Sequence, residues 1–94
     1  MELIQLYQDA AKTAIDKFYD SVYRIAPTDE DFSHVCNIAA SIMMTRDSVL
    51  MGGSFAQAVV DNDLDGAINR ADITCRQHLD FFVHCKKYVF PKKY

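Results

Sequence analysis

The hydrophobic and polar positions of the chain repeat with a helical period in three long segments. In the first segment, residues 2–25, apolar side chains recur at spacings of three, four and seven positions, which places them on one helix face. These residues are Ile4, Ala11, Ile15, Phe18, Val22 and Ile25. Pro27 follows, and because the residue before a proline is disfavoured in helical geometry, the pattern predicts that the helix ends there.

The second segment, residues 29–50, begins with the strongest helix start in the sequence. Thr28 carries a hydroxyl that can accept from an unpaired backbone N–H, and the acidic residues 29–31 lie at the positive end of the helix dipole. Only two charged residues follow in this segment, so we expect a central helix with neighbours on two sides. Gly52 and Gly53 are expected to end it, since glycine adopts left-handed geometry at low cost.

The remaining pattern predicts one short helix and one long helix. Ser54 can cap a helix over residues 55–60, and the polar residues 61–63 then form a turn. A long helix over residues 64–89 has its apolar residues in register, with a break near Asp72 as the alternative. The prediction is therefore an all-α bundle of three main helices plus one short helix.

Size and composition limit the functions and partners that such a bundle can have. We expect residues 1–94 to form a single domain, and because half of them are hydrophobic, more than one small core needs, we expect a homo-oligomer. The formal net charge of −3 argues against direct nucleic-acid binding, which needs a basic face for the phosphates. No apolar run is long enough to cross a bilayer, and no signal-peptide pattern is present. We therefore expect a cytoplasmic protein with three reduced cysteines and no membrane partner.

The cysteine and histidine residues do not form a recognisable chemical motif in the sequence. Cys75 and His78 are three positions apart on one helix, but structural zinc sites usually show two close pairs of ligands, and the other cysteines and histidines are scattered. A thiol nucleophile would need a lowered pKa and an orienting partner, whereas these cysteines lie on apolar stripes. The sequence therefore predicts no metal site, no cofactor and no catalytic residue, and we expect a binding protein and not an enzyme.

The turn before the short helix is a candidate anion site. Gly53, Ser54 and Phe55 lead into a helix, where free backbone N–H groups beside the positive end of the dipole suit a phosphate or a carboxylate. Arginines elsewhere in the chain, at positions 46, 70 and 76, are available to reach such an anion. A simple turn between two helices is the alternative.

Two further polar pairs lie on the apolar scaffold. Asn62 and Asp63 occupy the turn, and Arg70 and Asp72 lie on the predicted last helix. Residues two positions apart on a helix do not face each other. Arg70 and Asp72 therefore each need another partner, in a structural network or in a ligand.

A series of short motifs runs without a gap in spacing from residue 53 to residue 72. The motifs are Gly53-Ser54-Phe55, Ala58-Val59, Asn62-Asp63-Leu64, Ala67 and Arg70-Ala71-Asp72, followed by Leu79, Phe82 and Pro91. This series resembles a widespread family of short, mostly uncharacterised proteins of tailed phages and prophages. In that family a Gly-Gly-Phe or Gly-Ser-Phe turn leads to Ala-Val, Asn-Asp-Leu and Arg-Ala-Asp, and then to an apolar helix and a proline. Residues 1–50 lie outside the resemblance.

The resemblance implies a phage accessory protein that acts in the cytoplasm of the bacterial host and antagonises host immunity. In the leading interpretation it is similar to the oligomeric sponge proteins that sequester nucleotide immune signals in a pocket formed by several subunits. The implied ligand-binding residues are Gly53, Ser54, Phe55, Asn62, Asp63, Arg70 and Asp72. Arg70 would contact phosphate, the amides of residues 53–55 would form the anion turn, and Asn62 and Asp63 would bind base or ribose. Tyr7 or Tyr23 would stack on the base.

Two other interpretations of the resemblance remain. The alternative is a small inhibitor that docks on a host defence protein and blocks it, as anti-CRISPR proteins do. Its acidic surface would then mimic nucleic acid or cover a catalytic face. A structural or regulatory component of the phage is the third interpretation.

Overall fold

The computed structural model describes residues 3–21 and 27–91, and this part of the chain is helical with no strand. The six helices are α1 (Leu3–Ser21), α2 (Asp29–Arg46), α3 (Ser54–Val60), α4 (Leu64–Arg70), α5 (Ile73–Gln77) and α6 (Leu79–Tyr88). The predicted all-α class is therefore confirmed. The predicted number of helices is wrong, because the expected last helix is divided into α4, α5 and α6.

Helix α2 lies at the centre of the molecule, as its low charge predicts. It packs against α1, α3, α5 and α6, and most of the apolar side chains along its length are buried. From α1 it receives the buried residues Tyr7, Ala11, Ala14 and Ile15. Ile4, which the helical period places on the same face of α1, is 44% exposed. Val22 and Ile25 of the predicted face lie outside the described residues.

The start of α2 follows the prediction, whereas its end does not. The Thr28 hydroxyl accepts from the N–H of Asp31 at 3.3 Å, as expected for an N-cap. The helix ends at Arg46, four residues before the predicted end at position 50, because Ser48 adopts a left-handed φ of 60°. A serine at that conformation gives no sequence signal, since glycine is the residue expected there.

Gly52 and Gly53 do not end α2, because neither has a positive φ. Gly52 is needed instead for close packing between the α2–α3 connection and α2. Its N–H donates to the Thr45 hydroxyl at 2.8 Å, and a Cβ atom at this position would lie 2.8 Å from the Cβ of Ala56. Any larger residue would therefore push α3 away from α2.

Two breaks divide the predicted last helix. At the first, Ala71 is extended and the Asp72 carboxylate accepts from the N–H of Cys75 at 2.7 Å, which caps α5. This is the break near Asp72 that the sequence left as an alternative. At the second break, which the sequence does not indicate, the buried His78 has its Nδ1 2.5 Å from the hydroxyl of Tyr19 on α1. Beyond it, α6 buries Phe81, Phe82 and Cys85 in the core.

Arg46, at the end of α2, holds the C-terminal end of α6. Its Nη1 donates to the carbonyl oxygens of residues 85, 86 and 89, at 3.1, 3.0 and 2.7 Å. The carbonyls of residues 86 and 89 lie at the helix end, where helical partners run out, and the carbonyl of Cys85 also accepts from the N–H of Val89 at 3.2 Å. Its Nε and Nη2 donate to the carboxylate of Asp47 at 2.7 and 2.8 Å, and the same carboxylate accepts from the hydroxyl of Tyr7. Arg46 is therefore a structural residue that joins α1, α2 and α6, and not the anion ligand that the sequence suggested.

Membrane-spanning helices are not found in the described part of the chain, where none is both long and apolar enough to cross a bilayer.

Replacing Arg46 with alanine should lower the free energy of unfolding by about 2–3 kcal/mol, because hydrogen bonds from a charged donor to buried acceptors are lost together. Urea unfolding followed by circular dichroism measures this loss. Arg76→Ala is the matched control, since Arg76 is exposed and makes a single bond, from Nε to the carbonyl of Ile68 at 3.2 Å. Equal losses for the two variants would contradict the structural role of Arg46.

Stability should also decrease at alkaline pH, because the fully buried thiol of Cys85 has its pKa raised from 9.0 to about 12 by desolvation. Because the thiol holds its proton more tightly in the folded state, it contributes its full stabilisation below pH 9.0. This contribution is lost as the pH rises toward 12. Urea unfolding between about pH 7 and about pH 10 should show this fall, and Cys85→Ala should make it shallower. An unchanged slope in Cys85→Ala would contradict the assignment to this thiol.

Candidate functional site

An open cleft lies between the α3–α4 corner and α6. It has a volume of about 140 Å³, an apolar floor and a polar rim. Its lining residues are Ala58, Val59, Asn62, Asp63, Leu64, Ala67, Leu79, Val83 and Lys86. The cleft thus includes two of the residues predicted to bind a ligand, Asn62 and Asp63.

The α3–α4 corner depends on Asn62 and Asp63. Asn62 has a φ of 62°, in the left-handed region that asparagine tolerates better than most residues. This conformation turns the chain so that the Asn62 amide oxygen accepts from the ammonium of Lys86 on α6. Asp63 then caps α4 by accepting from the N–H of Gly66 at 3.0 Å. The local sequence therefore places two polar side chains at the mouth of an apolar cleft.

Arg70 does not line the cleft, but the helical period of α4 brings it close to Asp63 at the rim. Its Nη1 lies 3.9 Å from Oδ2 of Asp63, seven residues earlier. Gly66 makes this approach possible, because a Cβ atom there would lie 2.5 Å from Nη1 of Arg70 and would also meet the Asp63 carboxylate. Both charged side chains are about half exposed, so their ion pair contributes little to stability. A competing anion can therefore take Arg70 from Asp63 at low cost.

The predicted anion turn does not join this rim within one chain. Gly53 is the N-cap of α3 and makes no side-chain capping bond, and Ser54 is the first residue of the helix and not its cap. Phe55 is buried against Phe82, with ring centroids 5.7 Å apart. The turn and the Asn62–Asp63 corner lie at opposite ends of α3, about 10 Å apart along its axis. These two parts of the predicted site therefore do not surround one ligand in a single chain.

Asp72 is paired with residues other than Arg70, and the two lie on either side of the break between α4 and α5. Its Oδ2 lies 3.1 Å from Nε2 of His34 on α2, while its Oδ1 accepts from the N–H of Cys75. The backbone N–H of Cys75 is the main reason that the pKa of Asp72 is lowered from 3.8. The carboxylate is therefore ionised at neutral pH and is held at the junction between α4 and α5.

The expected stacking residues are not available in the described part of the chain. Tyr7 is 4% exposed, and its hydroxyl donates to Asp47 at 2.8 Å, so its ring is part of the core. Tyr23 lies outside the described residues.

Sequence reasoning missed the contribution of α6 to the cleft. Leu79, Val83 and Lys86 are spaced by four and three positions, which places them on one helix face beside the α3–α4 corner. The spacing is visible in the sequence, and so is the alternative of a break near Asp72. The second break, at His78, where α6 begins, is not indicated by the sequence. His34 also gave no signal, since it lies 38 residues before Asp72.

The cysteines have thiols and not thiolates at neutral pH. Desolvation by burial is the main cause that raises the pKa of Cys75 to about 12 and also raises the pKa of Cys36. A nucleophilic cysteine needs the opposite shift.

Comparison with known proteins gives no relative for this fold or for this cleft: no protein-family model, no curated protein and no solved structure matches the chain.

Proposed function

We propose that this chain is a phage accessory protein that sequesters a nucleotide-derived immune signal of its bacterial host, in a pocket formed between copies of the chain. The proposal rests on the resemblance of residues 53–72 to the phage family and on one structural observation. That observation is the open apolar cleft with its polar rim of Asn62, Asp63 and Lys86. Arg70 lies next to this rim, 3.9 Å from the Asp63 carboxylate.

The chemistry of the rim suits a phosphorylated nucleoside. Arg70 and Lys86 supply positive charge for phosphate oxygens, and an arginine can bind them with two parallel hydrogen bonds. The Asn62 amide both donates and accepts, and the Asp63 carboxylate accepts from a ribose hydroxyl or a base amino group. The apolar floor would cover the flat face of a base or a ribose.

In the proposed arrangement, a second copy of the chain completes the pocket. Its volume of about 140 Å³ is below the range of about 300–1,000 Å³ found for small-molecule pockets, so one chain would cover a nucleotide only in part. Leu64, Ile68 and Val83, on two of the three helices that line the cleft, are 62%, 38% and 36% exposed. A neighbouring chain that covered these side chains would bury apolar surface and close the pocket.

The remaining residues of the predicted site fit the same arrangement. The amides of residues 53–55 would reach the ligand only from the neighbouring chain, because they lie at the far end of α3. Asp72 would act indirectly, since its bonds to His34 and Cys75 fix the junction that follows Arg70.

Native mass spectrometry of the protein, after incubation with a panel of cyclic and ADP-ribose-derived nucleotides, tests this proposal. We expect an oligomer that retains one intact nucleotide species at a fixed ratio. Arg70→Ala should weaken that binding by roughly 10–100-fold, the loss expected for a charged hydrogen bond. Lys17→Ala is the matched control, since it removes one positive charge from the exposed face of α1.

Three results would contradict the proposal. A protein that stays monomeric and retains no nucleotide would exclude a pocket between chains. Equal binding by Arg70→Ala and Lys17→Ala would exclude the phosphate role of Arg70. A nucleotide that is released in altered form would indicate an enzyme.

The second candidate function, an inhibitor that docks on a host defence protein, is favoured by the exposed apolar residues on α4 and α5. Leu64 and Ile73 are 62% and 76% exposed, which is unusual for large aliphatic side chains. In that case Leu64→Asp would abolish a complex with the purified host protein, while Arg70→Ala would leave it intact.

A further inference from the structure

A second group of chemically reactive side chains lies outside the cleft, where α2 meets the start of α5. It consists of His34, Asp72 and Cys75, whose imidazole nitrogen, carboxylate oxygen and sulfur atoms all lie within 4.8 Å of one another. Within the described residues, this is the group of histidine, cysteine and acidic side chains whose spacing suits a metal ion. We propose that these three residues bind one zinc ion per chain.

The distances suit tetrahedral zinc. Zinc bonds to nitrogen, oxygen and sulfur are about 2.0–2.3 Å long, so neighbouring ligand atoms of a tetrahedral site lie about 3.4–3.6 Å apart. Nε2 of His34 and Oδ2 of Asp72 are already 3.1 Å apart. Sγ of Cys75 lies within 4.8 Å of both of these atoms, so the three side chains would adjust around the ion to reach tetrahedral spacing.

The local structure holds two of the ligands in place before an ion arrives. Oδ1 of Asp72 accepts from the N–H of Cys75 at 2.7 Å, which fixes the carboxylate and leaves Oδ2 directed at His34. Cys75 follows on the first turn of α5, so its sulfur lies near the same carboxylate. His34 comes from α2, and the ion would therefore link the central helix to the junction between α4 and α5.

The donor set selects zinc over the hard cations. Magnesium and calcium prefer oxygen ligands alone, whereas one nitrogen, one oxygen and one sulfur suit a borderline ion such as Zn²⁺. On binding, the Cys75 thiol transfers its proton to water as the sulfur–zinc bond forms. The thiolate and the carboxylate then carry two negative charges, which neutralise the two positive charges of the ion.

Access to the site is open on one side. The side chains of His34 and Asp72 are 45% and 57% exposed, while Cys75 is buried. An ion can therefore enter from solvent through the histidine and the carboxylate, and a water molecule completes the fourth position. No sequence pattern indicates this site, because its ligands are 38 and three residues apart and come from two helices.

The experiment uses tag-free full-length protein and Co²⁺ as a spectroscopic substitute for Zn²⁺. We expect a thiolate-to-cobalt charge-transfer band and tetrahedral d–d bands that saturate at one ion per chain and disappear when Zn²⁺ is added. His34→Gln changes an exposed ligand and leaves the core intact, and it should weaken zinc affinity at least about tenfold in a competition titration. Cys75→Ser should abolish the charge-transfer band.

Matched controls separate this site from the other residues of the same types. His84→Gln and Cys36→Ala change a histidine and a cysteine outside the group, and both should keep the band and the affinity. Absence of a charge-transfer band in the unaltered protein would overturn the proposal. So would a band that survives in Cys75→Ser, or a zinc affinity that is the same in His34→Gln and in His84→Gln. Neither readout depends on nucleotide binding.

Discussion

The guanidinium of Arg46 is the contact on which the arrangement of the helices depends. It is the one side chain described here that satisfies the carbonyl end of α6 and at the same time holds, through Asp47, the tyrosine hydroxyl of α1. Its plane also lies over the ring of Phe90, 4.2 Å from the centroid, where a cation is attracted to the ring face. With α6 fixed in this way, the residues at positions 79, 83 and 86 face the α3–α4 corner. The cleft lies between these residues and the corner.

The cleft further depends on capping chemistry that shortens the helices. Asp63 and Asp72 each accept from a backbone N–H three residues later, and each thereby starts a new helix. At Asp72 the hydrophobic period alone would continue the old one. Short helices turn the chain often, and each turn exposes a polar side chain beside an apolar surface. The same local rule therefore produces both the rim of the cleft and the group around His34.

The sequence predicts those parts of the molecule that depend on neighbouring residues. It indicates the all-α class, the cap at Thr28 and the central position of α2, because each follows from composition or period over one segment. It fails at Ser48, where an exposed serine adopts a left-handed φ that is expected of glycine. It also fails to find Lys86 and His34 as members of sites, since their contacts join residues 24 and 38 positions apart. Asn62, Asp63 and Arg70, which the sequence predicts as ligand-binding residues, lie together because they share one corner and one short helix.

The length of α3 sets the ratio of ligand to protein in any pocket of the proposed kind. A ligand that touches the Gly53 end of one α3 and the Asn62 end of another uses one end from each of two chains. Antiparallel α3 helices in a two-fold dimer would form two such pockets, and a head-to-tail ring of any size would form as many pockets as it has chains. Both symmetries give one ligand per chain. Because α3, seven residues and about 10 Å long, keeps its two ends apart, such an assembly would bind as many ligands as it has subunits, whatever their number.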